Sequence, residues 1–260
     1  MKLKLFSRNY ILTVKSDKGS RSENQDSFAW IHCYNDKIEG STEVHPADGN
    51  PETFIAIVCD GMGGLKNGSE VSSAVCKELI RNTVKEHYSD LNEFVNKTRP
   101  ILKIIEETIR KELPNGGTTI AAIAAVNDEW CTMHIGDSRV YHKKNEWRRT
   151  YDHSPVESLF LKGFIDEDEA LSHPMRNIVS KYIGGGYAED PEVGMIESGE
   201  EIILCSDGAF GYMPHNEFIN LISHSKDADE IVRTALAKGS RDNVTALCLI
   251  TDESDSSSRK

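Results

Sequence analysis

Residues 54–64 read FIAIVCDGMGG, a continuous apolar run of strand length that ends in an aspartate and a glycine cluster. An apolar run without polar alternation is typical of a strand that is buried on both faces. The runs at 202–205 and 244–250 have the same character, and 130–135 also has the pattern of a strand. These four runs predict the strands around which the fold is built.

Helical periodicity predicts three helices. The first is expected at 69–87, with Ser69 as its N-cap. The second is expected to start near Thr98, with Pro100 in its first turn, and the third to occupy 228–238. Strand runs on either side of two long central helices indicate a layered α+β domain rather than a regular βαβ repeat.

The remaining segments are polar. Residues 35–53 contain glycine and two prolines and are predicted to form a long surface loop. Residues 252–260 are rich in serine and aspartate and are expected to be a disordered tail. Residues 1–14 lack the sustained apolar stretch and small-residue cleavage site of a secretory signal.

Composition restricts the classes of partner. The 260 residues are long enough for one full core, and the formal charge is −12, with 30 Lys and Arg against 42 Asp and Glu. Phosphate backbones and anionic lipids attract basic surfaces, so we expect neither a nucleic acid nor a membrane as a partner. The sequence contains no run of about 18 apolar residues, the length that a membrane-spanning helix requires.

The six cysteines lie mostly inside apolar runs and form no C-x-x-C pair. This pattern predicts buried free thiols in a reducing compartment, and therefore a cytoplasmic protein. Clustered Cys and His spacing typical of zinc sites is missing, although nine histidines leave zinc open.

Four short motifs place an aspartate beside glycine or asparagine at the edge of an apolar run. They are Asn24-Gln25-Asp26, Cys59-Asp60-Gly61, Ser206-Asp207-Gly208 and Arg241-Asp242-Asn243. Each alone is an ordinary turn sequence, but four carboxylates gathered at strand ends repel one another and require cations, for which Mg²⁺ or Mn²⁺ is suited. Two such ions, roughly 4 Å apart, can lower the pKa of a shared water and direct the hydroxide at phosphorus. The motifs therefore predict a metal-activated phosphohydrolase.

Three further residues are candidates for this site. Arg21, five residues before Asp26, is suited to bind a phosphate, or is a solvated surface charge. Asp137 follows the 130–135 strand and either joins the cluster or caps a hairpin turn. Gly61 brings the main chain close to a ligand because it has no Cβ.

In sequence order, the motifs resemble those of the metal-dependent type 2C serine/threonine protein phosphatases, over roughly residues 10–251. Those motifs are Arg21-Ser22-Glu23-Asn24-Gln25-Asp26, Asp60-Gly61-Met62-Gly63-Gly64, Gly117-Thr118-Thr119, Gly136-Asp137-Ser138-Arg139, Asp152-His153-Ser154, Ser206-Asp207-Gly208 and Asp242-Asn243-Val244-Thr245. Residues 153–185 are similar to the flap of the bacterial members.

The resemblance implies an α-β-β-α sandwich, with two central antiparallel sheets flanked by helices, as a single catalytic domain at 1–251. It implies that Asp60 bridges two ions and that the Gly61 carbonyl joins the second. Asp207 and Asp242 would hold the first ion, and Asp26 would act through water. It also implies a third ion on Asp137 and Asp207 and a substrate phosphate on Arg21. The expected partners are phosphorylated proteins and a cognate serine/threonine kinase, and the expected state is a monomer.

The sequence departs from the family pattern at Met62, where many relatives have a histidine, and at Gln25 and Ala209. These changes leave open two alternatives, a catalytically weak phosphoprotein-binding module and a hydrolase of small phosphoesters. His153 and Asp152 are interpreted as structural, hydrogen-bonded residues.

Overall fold

A computed structural model describes residues 1–34, 37–41, 52–62, 67–185 and 190–252. Its first sheet has six strands in the order β1-β2-β12-β11-β8-β9, and its second has six in the order β10-β7-β6-β5-β3-β4. The strands of the first sheet are β1 (Lys2–Leu5), β2 (Arg8–Asp17), β8 (Arg139–Lys143), β9 (Trp147–Arg149), β11 (Glu201–Cys205) and β12 (Val244–Thr251). Those of the second are β3 (Asp26–Tyr34), β4 (Lys37–Gly40), β5 (Thr53–Asp60), β6 (Ile120–Val126), β7 (Glu129–Ile135) and β10 (Glu192–Ile196). All neighbouring strands run antiparallel.

Helices cover the outer faces of the two sheets. They are α1 (Gly68–Thr83), α2 (Leu91–Glu112), α3 (Pro155–Leu161), α4 (Glu167–Ser172), α5 (Asp207–Phe210), α6 (His215–His224) and α7 (Ala228–Ala237). α1 and α2 pack on the second sheet, whereas α6 and α7 pack on the first. The predicted α-β-β-α sandwich is therefore confirmed.

Strand β5 shows why its sequence is apolar throughout. Phe54, Ala56 and Val58 pack in the core between the two sheets, while Ile55 and Ile57 face α1 and α2. All five are fully buried. Since each large apolar side chain contributes about 1.5–3 kcal/mol on burial, both faces of this strand stabilise the sandwich.

Two helix starts were predicted wrongly. α1 begins at Gly68 with Asn67 as its N-cap in the left-handed conformation, so Ser69 lies inside the helix, which ends at Thr83. α2 begins at Leu91, seven residues before the predicted start. The Asp90 side chain accepts a hydrogen bond from the Glu93 N–H and caps that helix.

Pro100 accordingly lies inside α2, not in its first turn. It is on the exposed face of the helix, where water can hydrogen-bond the carbonyl that a proline leaves without a partner. The third helix and the four strand runs occur where they were predicted.

The prediction of an unbroken loop at 35–53 was also wrong. Lys37–Gly40 forms the edge strand β4, which pairs with β3, and β5 begins at Thr53. Residues 35–36 and 42–51 of that loop, and 253–260 of the expected tail, lie outside the described residues.

All six cysteines are buried and free, as predicted. Within the described part of the chain, none of the helices has the length and apolar character needed to cross a membrane.

Candidate metal centre

Antiparallel pairing brings the first two aspartates together. β3 starts at Asp26 and β5 ends at Asp60, and the two residues are direct partners across the strands. Residues directly opposite on antiparallel strands have their Cβ atoms about 4.5–5.5 Å apart. The register of the second sheet therefore places two carboxylates side by side at one edge.

The first sheet supplies the other two aspartates. Asp207 begins α5 directly after β11, and Asp242 lies two residues before β12, the strand that pairs with β11. The Ser206 hydroxyl donates a 2.7 Å hydrogen bond to Asp26 Oδ2 and accepts from the Thr245 N–H at 2.9 Å. This serine joins the edges of the two sheets, so the four predicted carboxylates meet in one cluster.

The main chain at Asp60 is fixed by residues whose role the sequence did not reveal. Thr119 Oγ1 accepts from the Asp60 N–H at 2.9 Å, and the Asp60 carbonyl accepts from Thr118 Oγ1 at 2.8 Å and from the Thr119 N–H at 3.0 Å. The Gly117-Thr118-Thr119 motif was the only sequence signal. Because these bonds use the main chain alone, the Asp60 carboxylate remains available to a ligand.

Gly61 is required by close contact with neighbouring main chain. A Cβ at this position would lie 2.4 Å from the Gly68 carbonyl oxygen and 2.5 Å from the Gln25 carbonyl oxygen. The Gly61 N–H donates to that same Gln25 carbonyl at 3.0 Å. A side chain here would force apart the two segments that carry Asp26 and Asp60. Gly63 and Gly64 lie outside the described residues.

Burial and mutual repulsion make the cluster hold protons when no cation balances it. Burial, with the charge of Asp242, raises the pKa of Asp26 to about 6. The same two causes raise the pKa of Asp207 to about 7. Burial and the charges of Asp26 and Asp207 raise the pKa of Asp60 well above its usual value. A bound cation would replace these protons.

Two oxygens in the cluster have no hydrogen-bond partner among the residues that the structure describes. They are Asp26 Oδ1 and Asp207 Oδ1, and both are buried. Buried acceptors without donors are costly, and hard divalent cations bind carboxylate oxygens. The residues present therefore fit Mg²⁺ or Mn²⁺.

Asp137 lies in the turn between β7 and β8, next to this cluster. Burial and the charge of Asp207 raise the pKa of Asp137 well above its usual value. The structure thus brings Asp137 near Asp207, as the hypothesis of a third ion requires.

Arg21 lies at the rim of the cluster and is half exposed. Its Nη2 donates to Asp242 Oδ2 at 2.7 Å. Burial is slight here, and the hydrogen bond to Asp242 raises the pKa of Arg21. The guanidinium is therefore within reach of the carboxylates, and Arg21 lines the same cleft as Asp137, Asp207 and Asp242.

His153 and Asp152 make the structural contacts that were expected of them. The main-chain N–H of Gly136 donates to the ring nitrogen Nδ1 of His153 at 3.0 Å. The main-chain N–H of His153 donates in turn to the Gly136 carbonyl at 2.7 Å. Asp152 accepts two 2.7 Å bonds from Arg139, which also stacks on Phe210 with its guanidinium carbon 3.8 Å from the ring centre. These bonds attach the start of the flap to β8 and α5.

A second buried ion pair, not foreseen from the sequence, continues this network. Arg149 Nη2 donates to Glu157 Oε1 of α3 at 2.8 Å, and both side chains are largely buried. The network forms one wall of the cleft above the carboxylates.

The geometry is that of a buried carboxylate centre at the shared edge of two sheets.

The sequence of this chain also matches those of known proteins. The family model of protein phosphatase 2C matches residues 20–248. The chain belongs to this family. It is 30% identical over 257 residues to a protein phosphatase 2C-type protein of Streptococcus pyogenes, covering 94% of this chain and 98% of that protein.

Two further comparisons agree with this assignment. The phosphatase is 30% identical over 216 residues to a serine/threonine phosphatase of Listeria monocytogenes, covering 76% of this chain and 84% of that one. A solved structure of the S. agalactiae serine/threonine phosphatase matches it with a TM-score of 0.77 at 25% identity, over 94% of this chain and 100% of that chain. The resemblance found in the sequence is thereby confirmed, and the protein is a metal-dependent serine/threonine protein phosphatase.

Proposed function

We propose that this phosphatase releases phosphate from phosphoserine and phosphothreonine in proteins, with two divalent ions held by Asp26, Asp60, the Gly61 carbonyl, Asp207 and Asp242. The observation that carries the proposal is the buried cluster, in which two carboxylate oxygens have no hydrogen-bond partner among the described residues, at the base of a cleft that Arg21 also lines. The cations would be Mg²⁺ or Mn²⁺, and Asp137 with Asp207 would hold a third ion. When bound, the ions activate a water for attack on phosphorus.

Individual residues of the site have different roles in this proposal. Asp60 is central because four other carboxylates, those of Asp26, Asp207, Asp137 and Asp242, act on its pKa. Thr118 and Thr119 hold its main chain, and Arg21 orients the substrate phosphate. Position 62 is methionine and has no proton to donate, so the leaving oxygen takes its proton from water.

The domain organisation, oligomeric state and location of the protein are proposed from composition and packing. Residues 1–251 form one catalytic domain with a flap at 153–185, and the protein acts as a monomer. Six buried free thiols support a reducing, cytoplasmic location. Its protein substrates are the products of a cognate serine/threonine kinase.

The test of the function is phosphate release from a phosphothreonine peptide with Mn²⁺, with Mg²⁺ and with chelator. We expect metal-dependent turnover of the peptide that exceeds turnover of a nucleotide monophosphate. Preference for the nucleotide would favour a small-phosphoester hydrolase. Binding of the peptide without turnover under any metal would favour the regulatory module.

Replacement of Arg21 should mainly weaken substrate binding. Hydrogen bonds to a charged group contribute about 1.5–3 kcal/mol, so we expect Arg21→Ala to lower kcat/KM by roughly 10- to 150-fold, chiefly through KM. Arg21→Lys should recover only part of the lost kcat/KM, because lysine cannot make a bidentate contact with the phosphate.

The matched control is Arg233→Ala, which removes another exposed arginine that is paired with an aspartate, Asp229. It should leave kinetics unchanged. If Arg21→Ala instead changes the metal concentration needed for activity and leaves KM unchanged, Arg21 serves only as the ion-pair partner of Asp242.

A further inference from the structure

A second group of metal-binding side chains lies at the base of the flap. His134, His153 and Glu192 each offer one ligand atom, and these atoms lie within 4.8 Å of one another. None of the three belongs to the carboxylate cluster. Imidazole nitrogens and a carboxylate suit zinc and similar transition metals better than Mg²⁺.

The fold brings the three residues together from distant elements. His134 of β7 and Glu192 of β10 are direct partners across antiparallel strands. The His153 ring packs on the His134 ring, with their centres 4.7 Å apart. His153 is held in place because its carbonyl accepts from both the main-chain N–H and the hydroxyl of Ser180, each at 2.8 Å.

His134 is the unusual member of this group. It is fully buried, and among the described residues neither of its ring nitrogens has a hydrogen-bond partner of normal geometry. A backbone interaction with Ser138 contributes weakly, whereas burial and the nearby His153 lower the pKa of His134 to about 3. The ring is therefore neutral, which is the form that binds metals.

A buried histidine without a partner requires an explanation, because buried polar groups are nearly always hydrogen-bonded. His134 is not needed to fill the apolar core, since the alternate residues Cys131, Met133 and Ile135 of β7 provide that packing. The His134 ring packs on the His153 ring, and one of its nitrogens lies within 4.8 Å of a ligand atom of His153 and of Glu192. A ligand shared by these three residues would supply the partner that His134 does not find among the described residues.

We propose that His134, His153 and Glu192 form a binding site for Zn²⁺, separate from the catalytic cations, with a fourth position left for water. Bonds of about 2.0–2.1 Å in tetrahedral geometry place ligand atoms roughly 3.3 Å apart, so the three must move closer by up to about 1.5 Å. Glu192 Oε2 already lies 3.4 Å from His153 Nε2, and the half-exposed Glu192 side chain has room to adjust.

The proton on His153 has to move when the metal binds. Nδ1 accepts from the Gly136 N–H, so the neutral ring carries its proton on Nε2, which faces Glu192 Oε2 at 3.4 Å. Coordination through Nε2 transfers this proton to Nδ1, with no net proton release. Nδ1 then stops accepting from Gly136, and that hydrogen bond opens beside Asp137.

The test uses the full chain labelled with ¹⁵N-histidine, in excess Mg²⁺ to fill the carboxylate cluster. On titration with Zn²⁺ we expect the ring nitrogen signals of His134 and His153 to shift together and saturate at one equivalent. The Gly136 amide should exchange with solvent faster at the same point. Zinc that binds without moving the histidine signals, or a lack of zinc binding, overturns the proposal.

Variants separate ligation from folding. Glu192→Gln should weaken zinc binding about tenfold or more, and His134→Asn should abolish the shift of His153. Glu197→Gln is the matched control, since Glu197 is an exposed carboxylate that directly follows the same strand and pairs with Lys144. If His134→Asn does not fold, Glu192→Gln decides the question, and unchanged zinc affinity in that variant refutes the site.

Discussion

The Asp60→Asn variant should lose turnover of a phosphothreonine peptide by about a thousandfold or more while remaining folded. Burial and the charges of four other carboxylates raise the pKa of Asp60, so Asp60 lies at the centre of the cluster. We therefore expect its carboxylate to be the most important ligand for a pair of cations. Asparagine has nearly the same shape but cannot supply a full negative charge, and removal of one key electrostatic group typically costs 10²–10³ in rate, more where metal binding itself fails. The measurement is phosphate release across a range of Mn²⁺ and Mg²⁺ concentrations.

The fold of this variant should not suffer. The contacts of Asp60 with Thr118 and Thr119 use the main chain, and they persist in the variant. Without metal, replacing one of the crowded, buried carboxyl groups by a neutral amide should raise the melting temperature. Asp90→Asn is the control, because asparagine is as good an N-cap as aspartate. Asp90 lies at the end of α2 that contacts Glu129, the first residue of β7, whereas Asp137 follows the other end of that strand. Full activity in Asp60→Asn would falsify the assignment of the metal centre.

The chelated protein should lose stability as the pH rises from about 4 to 7. The pKa of Asp26 rises from 3.8 to about 6 on folding, and that of Asp207 from 3.8 to about 7. Each group binds its proton more tightly in the folded chain than in the unfolded chain. It therefore favours folding fully below pH 3.8, and this contribution is lost as the pH approaches the folded value.

The magnitude is measurable. Raising one carboxyl pKa from 3.8 to about 6 corresponds to about 3 kcal/mol, and a protein of this size changes its melting temperature by roughly 2–4 °C per kcal/mol. Between pH 5 and 7 we expect the chelated protein to melt several degrees lower. Asp60 and Asp137, whose pKa values burial and neighbouring carboxylates also raise, act in the same direction. Excess Mg²⁺ should reverse the trend, because the cation binds the charged carboxylates.

Asp207→Asn, measured in chelator, provides the comparison for this experiment. It removes one of the titrating groups and should flatten the profile. An apo protein whose melting temperature rises steadily from pH 5 to 8 would show that the carboxylates are not crowded as the structure has them.

Much of the site could be predicted because its aspartates occur in short, recognisable sequence motifs. Asp26, Asp60, Asp207 and Asp242 each lie at the end of an apolar run, and strand ends are where a sheet edge collects side chains. All four occur together as expected, with Asp137 beside them. Their individual roles as ligands stay predictions.

The errors share a cause. The starts of α1 and α2 depend on the capping residues Asn67 and Asp90, and the strand β4 depends on pairing with β3. Periodicity within a helix does not define where it begins, because the cap lies outside the repeating pattern. An edge strand likewise has little apolar signal of its own.

The sequence by itself determined the class of fold and the reaction, and it predicted the aspartates that are candidate cation ligands. Apolar runs, the residues at their ends and the order of the motifs can all be read directly along the chain. Only the tertiary structure decided which groups meet. The Ser206–Asp26 hydrogen bond joins residues 180 positions apart, and the Arg21–Asp242 pair joins residues 221 apart. The lack of a hydrogen-bond partner for His134 among the described residues also depends on tertiary structure, because it reflects which groups the other elements place around the ring. Such contacts follow from strand register and sheet packing, which no short stretch of sequence contains.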